Sequence, residues 1–362
     1  MALDWIELSH FRSYQRLNWH PDPGVNLLVG DNGAGKTNVL EAVAFLGSQR
    51  SFRGAPDEAL VSDGAESAIL RGEFTTLSSS TLVEAEVKRR GGKVLRLNGA
   101  RSRLADLVEA VRLVTFVPED LDLVKGGPGS RRDYLDESSI QLWPVAALDQ
   151  AEMDRALRQR NALLRTGVFD EASLAVWDAR LAQAGAKVMA RRARMIAATT
   201  GFVEEAYRHI SESPARVEWA YGSSWGGSLD PGVTAAEWAD ALSRALESGR
   251  QTDRDRRATG FGPHRDDPVL LLDGADSRFH ASQGEQRTLA LSLRLGLQRA
   301  IAELAGAAPL LLLDDVFSEL DGARGKALAS GLLPSQTLIT TAHPEDVPIV
   351  GKIWAVTGGL VS

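Results

Sequence analysis

The sequence predicts an α/β fold interrupted by a helical insertion, and three observations carry that prediction. A glycine-rich loop, Gly30-Asp31-Asn32-Gly33-Ala34-Gly35-Lys36-Thr37, follows the apolar run Val25–Val29 and precedes apolar residues at helical spacing, Val39, Leu40, Val43, Ala44 and Leu46. Strand–helix–strand patterning returns after Arg257, through Val269–Leu272, Glu285–Ala305 and Leu310–Leu313. Between these halves, from Ser130 to Ile210, the chain is rich in Ala, Leu, Arg, Glu and Gln, and Gly167 and Gly185 are the only glycines between Ser130 and Thr200.

In chain order, Asp4–Ser9 alternates as a half-buried strand and Leu17–Trp19 follows a turn. Ala68–Phe74 and Thr81–Val87 read as antiparallel strands, continuing through the Gly91-Gly92 turn into Val94–Leu97. Val111–Val117 is a further, mostly buried strand. Gly126-Gly127-Pro128-Gly129 breaks the chain with helix-stopping residues. After it come long helices, expected as an antiparallel pair turning near Thr166–Asp170. Pro214–Tyr221 is a strand, Gly222–Gly232 a loop, and Thr234–Glu247 an amphipathic helix with Trp238, Ala241, Leu242 and Leu246 on one side. Gln336–Thr340 and Ile353–Val356 close the sheet. The expected division is residues 1–127 and 258–362 as the two parts of one head, which carries a mixed sheet and an antiparallel β-subdomain, with residues 128–257 as an inserted helical arm.

At 362 residues there is room for two or three sizeable cores. An apolar fraction of 44% and a charged fraction of 25% are those of an ordinary globular chain, and no apolar run approaches the ~20 residues of a membrane span. The first residues lack the layout of a secretion signal, so a cytoplasmic protein without a membrane partner is expected. The absence of cysteine excludes disulfides, thiolate zinc sites and cysteine nucleophiles. A net charge of −7 argues against a coat of nucleic acid but allows a local basic face. Residues 151–210 carry ten Lys/Arg against seven Asp/Glu, which fits either such a face or solvated helix surfaces.

The loop at Gly30–Thr37 has the G-x-x-x-x-G-K-[ST] spacing, in the strand-to-helix context that spacing needs. Its glycines let backbone N–H groups curl around a triphosphate, and the helix that follows aims its positive end at the same anion. Gly30, Asp31, Asn32, Gly33, Ala34, Gly35, Lys36, Thr37 and Asn38 are therefore the candidate nucleotide-binding residues. Lys36 would reach the outer phosphates, and the Thr37 hydroxyl would take one Mg²⁺ position.

A second set of residues completes the chemistry. The strand Leu310–Leu313 ends in Asp314-Asp315, where ligands of a parallel sheet sit. Asp314 is the candidate Mg²⁺ carboxylate opposite Thr37, and Asp315 the candidate that orients an attacking water. Ala281-Ser282-Gln283-Gly284-Glu285-Gln286 leads into a long helix, again an anion-binding layout. Thr340-Thr341-Ala342-His343 ends the next strand and places His343 at the same sheet edge as Asp314.

This ordered set resembles the ABC-type ATPase head: phosphate loop, signature loop before a helix, Asp-ended strand, D-loop at Ser318–Asp321, and switch histidine. The match narrows with His10–Tyr14, Val117–Leu121, Lys125–Pro128, Arg131-Arg132 with Leu135-Asp136, Gly262–Asp267 and Ser282–Arg287, which together resemble the RecF family of bacterial recombination mediators over nearly the whole chain. The resemblance implies ATP and Mg²⁺ as ligands, an ATP-dependent homodimer, and binding of duplex, single-stranded or junction DNA. It further implies action with RecO and RecR in loading the RecA recombinase, within the SOS response. It carries Arg12 over as a nucleotide contact, and Ser282, Gly284 and Gln286 as a contact made across the dimer. For His264-Arg265 both a fold-stabilising and a site-bordering role stay open.

Two departures from the broader class matter. Glu119 and Asp120 stand where transporters have a glutamine, and Asp315 is one methylene shorter than the usual glutamate, which predicts slow hydrolysis. The candidate DNA contacts are Arg131, Arg132, Arg155, Arg158, Arg191, Arg192 and Arg194. The alternative reading, an ATPase subunit of an ABC-type transporter, is disfavoured by the length of the insertion. A small-molecule kinase lacks any need for the Ser282–Gln286 loop.

Overall fold

The computed structural model describes residues 1–76, 79–167, 170–226 and 232–362. Contacts divide the chain into two units: Met1–Asp120 with His209–Glu212 and Leu291–Ser362, and Leu121–Arg208 with Ser213–Ala290.

The first unit is α/β. Its antiparallel sheet runs in the order Tyr14–Trp19, Ala2–Phe11, Ser67–Thr75, Ser80–Lys88, Gly92–Leu97, Ala100–Arg101. These strands alternate in sequence because one face is packed. Ile6, Leu8, Leu70, Phe74 and Val83 share a core with Val39, Leu40, Val43 and Phe45 of the helix Lys36–Ser48. Each such side chain contributes about 1.5–3 kcal/mol on burial.

The mixed sheet runs in the order Leu360–Val361, Lys352–Thr357, Val25–Val29, Thr337–Thr341, Leu310–Asp314, Leu113–Phe116, and all but its terminal hairpin is parallel. Leu310, Leu311, Leu312 and Leu313 are wholly buried, which is why that strand reads as a continuous apolar run rather than an alternation. The register sets the site. Val29 pairs with Thr341, and Thr340 with Asp314, so the loop after Val29, the carboxylates and His343 leave the sheet at one edge.

The second unit is mainly helical. It holds Pro128–Leu142, Ala146–Thr166, most of Glu171–Ser211 and Ala235–Arg256, with a small antiparallel sheet of Val217–Gly222, Asp267–Leu272 and Ala275–Asp276. Gly127 caps the first of these helices in extended conformation and Pro128 opens it, so the glycine–proline break starts a helix. The expected pair of long helices is interrupted once more, at Trp143-Pro144-Val145. Pro144 has no N–H and clashes with the preceding turn, so the helix stops at Leu142. The turn expected at Thr166–Asp170 falls between the next two helices, with residues 168 and 169 outside the described set. Residues 227–231 of the expected Gly222–Gly232 loop are outside it too.

Gly185 sits where a Cβ would lie 2.9 Å from Leu242 Cδ2 and 3.1 Å from Pro263 Cδ. Its place mid-helix is a matter of packing. No helix among the described residues is long and apolar enough to cross a membrane.

Candidate nucleotide site

The phosphate loop is shaped by what glycine allows. A Cβ on Gly30 would lie 2.3 Å from the Val356 carbonyl oxygen, a backbone atom that cannot step aside. Gly33 and Gly35 take φ of 84° and 107°, in the left-handed region. Lys36 opens the helix with no side-chain cap at Gly35, leaving first-turn N–H groups for a ligand. Tyr14 donates its phenol to the Gly35 carbonyl at 3.2 Å, and Asn38 donates to Ser13 Oγ at 2.9 Å, so the turn after the first strand props the loop from behind. Burial pushes the Tyr14 phenol up to about 12, which keeps it a donor. Lys36 Nζ folds back to the carbonyls of Gly30 and Asp31 at 2.6 and 2.9 Å.

Thr37 and Asp314 meet although 277 residues separate them. Thr37 donates from Oγ1 to Asp314 Oδ1 at 2.8 Å, and Thr340 donates to the same oxygen at 2.6 Å. Burial raises the Asp314 pKa; the two hydroxyl bonds pull it back, while Glu119 and Asp315 add to the rise. Asp315 adopts φ 50°, and its Oδ1 is buried without a hydrogen-bond partner. Such an orphaned acceptor costs about 1–3 kcal/mol and fits a site built to hold a water or other donor. His343 is at the predicted edge with its side chain 67% exposed, its Nδ1 3.5 Å from Glu345. Thr341 Oγ1 accepts from the His343 N–H at 3.0 Å and fixes the turn.

Arg12 is bound at home. Its Nε and Nη2 grip both oxygens of Glu41 at 2.8 and 2.7 Å, and Nη1 reaches the Ala59 carbonyl at 3.0 Å. Glu41 lies on the phosphate-loop helix, wholly buried, and also accepts from Ser51. Sequence reasoning missed Glu41; its signal is a charged residue flanked on both sides by core positions, Val39-Leu40 and Ala42-Val43. It missed Thr340 as well, whose hydroxyl had no visible partner in the chain order.

The Ser282–Gln286 loop belongs to the second unit. Ser282 and Glu285 cap the helix reciprocally: Ser282 N–H donates to the Glu285 carboxylate at 2.7 Å, and Glu285 N–H to Ser282 Oγ at 3.3 Å. Ser282 is exposed and Gly284 half-buried, whereas Gln286 is buried and donates to the carbonyls of Ser277 and Arg278 at 3.1 and 3.3 Å. Gln286 thus braces the loop from within.

Two candidate DNA contacts are corrected by burial. Arg131 is held by the Pro268 and Gly126 carbonyls and Asp267. Arg192 is 1% exposed, gripping Asp136 at 2.6 and 2.8 Å and the Tyr221 hydroxyl at 2.7 Å. Neither guanidinium faces solvent. Arg155, Arg158 and Arg194 are exposed, Arg132 and Arg191 half-buried. Of Glu119 and Asp120, the latter is taken by Arg294 and the Val117 N–H. His264 is mostly buried beside the Thr259 carbonyl, and desolvation pushes its pKa down to about 4. Its neighbour Asp266 accepts from Tyr221 and from the Ser224 N–H, each at 2.8 Å.

A phosphate loop whose threonine meets an Asp-ended strand on a parallel sheet, flanked by an antiparallel sheet, defines an ABC-type ATPase head of the SMC-like kind. The sequence model of the RecF/RecN/SMC N-terminal domain matches residues 2–357. The DNA replication and repair protein RecF of Acidothermus cellulolyticus is 40% identical over 364 residues, 98% of each chain. That of Kineococcus radiotolerans is 40% identical over 372 residues, 96% of this chain and 94% of the other. The chain belongs to the RecF family of DNA replication and repair proteins.

Among solved structures, the recombination mediator protein RecF-ATP in the RecFOR pathway superposes with a TM-score of 0.89 at 31% identity, covering 100% of this chain and 98% of that one. The Smc head domain of Pyrococcus furiosus, bound to the C-terminal domain of ScpA, shares the fold at a TM-score of 0.55 and 16% identity, with 99% and 95% covered.

Proposed function

We propose that this chain is an ATP-gated, DNA-binding recombination mediator that works as a homodimer. The observation that carries the reading is the meeting of Thr37 and Asp314 at 2.8 Å beside a preformed phosphate loop. Backbone N–H groups of the loop Gly30–Thr37 would take the phosphates, and Lys36 would exchange its two carbonyls for phosphate oxygens, stronger charge-assisted partners. The donor set, one hydroxyl and one carboxylate, suits Mg²⁺, a hard cation that takes most of its remaining ligands from phosphates and water. Among the described residues no cluster of three or more acidic or His side chains offers a self-sufficient metal site. When bound, the cation would neutralise charge on the phosphates. Asp315 would orient the attacking water through its unpartnered oxygen, and His343 would stand by the outer phosphate. The short reach of Asp315 makes hydrolysis slow, as suits a timer rather than a motor.

In this reading residues 1–127 and 258–362 form the head and 128–257 the arm; by contact, residues 121–127 and 258–290 belong with the arm. The signature loop is then built on the arm's unit, and Ser282 and Gly284 would complete the nucleotide site of a second copy. ATP closes the dimer. DNA, whether duplex, single-stranded or junction, would be gripped mainly through phosphates, and RecO and RecR would join it in loading the recombinase. RecF-family relatives named for replication and repair, and solved RecF structures named for ATP and the RecFOR pathway, support the reading.

The test measures DNA binding on the three substrates with and without ATP, beside sedimentation of the chain. ATP should raise affinity and shift the chain to dimer, and Lys36→Met should abolish both effects. ATP-independent DNA affinity, or no dimer with ATP, refutes the switch.

A further inference from the structure

We propose that Thr340 is a positioning residue whose single hydroxyl sets the orientation of both carboxylate residues, Asp314 and Asp315. The inference rests on the reading of this site as a Mg²⁺–nucleotide site and adds a residue to it. Thr340 is 1% exposed, on the strand Thr337–Thr341, directly opposite Asp314 in the parallel register. Its Oγ1 donates its only proton to Asp314 Oδ1 at 2.6 Å. The same oxygen accepts the Asp315 N–H at 3.0 Å, beside the Thr340 carbonyl at 3.2 Å.

Each bond has a separate consequence. Thr37 also donates to Oδ1 of Asp314, so both hydroxyls pin one oxygen and leave Oδ2 as the one turned free of them. Thr37 sits on the phosphate-loop helix and is itself a candidate ligand of the cation. Thr340 lies buried behind the carboxylate and has no such second duty. It is therefore the bond that keeps the carboxylate in one rotamer whatever Thr37 does. The second bond fixes the Asp315 amide while that residue holds φ 50°, a conformation costing a non-glycine residue about 1–3 kcal/mol. The left-handed turn sets the direction in which the Asp315 side chain leaves the strand, with no hydrogen bond to its Oδ1 to share that role. Loss of the Thr340 hydroxyl leaves the Asp315 N–H with the backbone acceptor, so the strand survives, while the Asp314 carboxylate loses its second pin and the Asp315 amide one of its two acceptors.

The experiment uses the full chain as wild type, Thr340→Val, Thr340→Ala and Thr340→Ser. Affinity for a fluorescent ATP analogue is read in EDTA, then the Mg²⁺ concentration giving half-maximal tightening, with Mn²⁺ binding to the nucleotide-bound chain followed by electron paramagnetic resonance. In Thr340→Val and Thr340→Ala the half-saturating Mg²⁺ and Mn²⁺ concentrations should rise on the order of tenfold, the usual effect of losing a group that orients a metal ligand, while affinity in EDTA stays within about twofold. Thr340→Ser, which keeps the hydroxyl, should match the wild type. Thr340→Ala serves if Thr340→Val fails to fold. Unchanged metal dependence in the variants without the hydroxyl, or an equal loss of affinity in EDTA, overturns the assignment. A wild-type chain that binds nucleotide with no response to Mg²⁺ overturns the underlying metal-site reading as well.

Discussion

Replacing Arg12 by Met should cost more than neutralising its partner, because the two ends of this ion pair differ in their access to water. Glu41 is fully buried and receives Arg12 through both oxygens, whereas the Arg12 side chain is 18% exposed. Arg12→Met strands a buried carboxylate with only the Ser51 hydroxyl for company, a loss of about 3–5 kcal/mol. Glu41→Gln leaves a guanidinium that keeps the Ala59 carbonyl and can lean into solvent, a loss of about 1–2 kcal/mol. At roughly 2–4 °C per kcal/mol for a unit of this size, melting midpoints should fall by on the order of 10 °C and 4 °C. The assay is thermal unfolding followed by circular dichroism. Replacing both partners, as Arg12→Met with Glu41→Leu, should recover at least half of the loss, since a well-packed apolar pair substitutes for a buried ionic one. ATP affinity in that double variant reads what Arg12 itself gives the site. It should stay depressed, and full recovery would assign Arg12 to the fold alone. Equal, small drops for the two single variants would refute the asymmetry from which the magnitudes were derived.

Gly30→Ala places a methyl 2.3 Å from the Val356 oxygen, so the strand Lys352–Thr357 must shift; stability should fall by about 1–3 kcal/mol and ATP affinity at least about tenfold, by melting and nucleotide titration. His264 has a folded pKa of about 4 against 6.5 in the open chain, so the unfolded state takes up its proton first. Its contribution is whole above pH 6.5 and is lost as pH falls towards 4, by about 2–3 kcal/mol. Urea midpoints of wild type and His264→Gln should therefore show the difference between the two shrinking or reversing across that window, and a difference independent of pH would exclude the titration. Arg192→Met should destabilise by about 3–5 kcal/mol through the stranded Asp136. Exposed Arg158→Ala should change stability by under about 0.5 kcal/mol, yet reduce the salt slope of DNA binding by about 0.9 if it meets a phosphate. Urea melts and salt-titrated binding separate the two.

Legibility followed the range of the interaction. The loop glycines, the apolar strands and the Asp-ended strand are local patterns, and each was readable because its cause is local: φ sign, burial on both faces, strand-end position. The antiparallel strands alternated in sequence for the same reason. Pro144 was equally local and was passed over, because the surrounding helical composition outweighed one residue in a window. What stayed hidden depended on pairs distant in sequence. Glu41 becomes intelligible only with Arg12, 29 residues before it. Arg131 and Arg192 looked like surface cations because composition carries no depth; Pro268, whose carbonyl holds Arg131, and Asp136, which grips Arg192, lie 137 and 56 residues away.

The deeper omission concerns what the site residues do before any ligand arrives. Lys36 could be recognised as a phosphate-binding lysine, yet its ammonium already holds two loop carbonyls at 2.6 and 2.9 Å. Ser282 could be recognised as part of an anion-binding helix start, yet its N–H already donates to the Glu285 carboxylate at 2.7 Å, an anion of the protein's own. On both faces of the proposed two-copy nucleotide site, at Lys36 and at Ser282, protein groups satisfy the positions that phosphate would take. Nucleotide binding is then an exchange of partners at each face, and its net free energy is a difference between two sets of hydrogen bonds rather than the gross strength of one. In the proposed dimer, closure would therefore gain only that difference at each face, a consequence of the occupied state of Lys36 and Ser282 that no motif spells out.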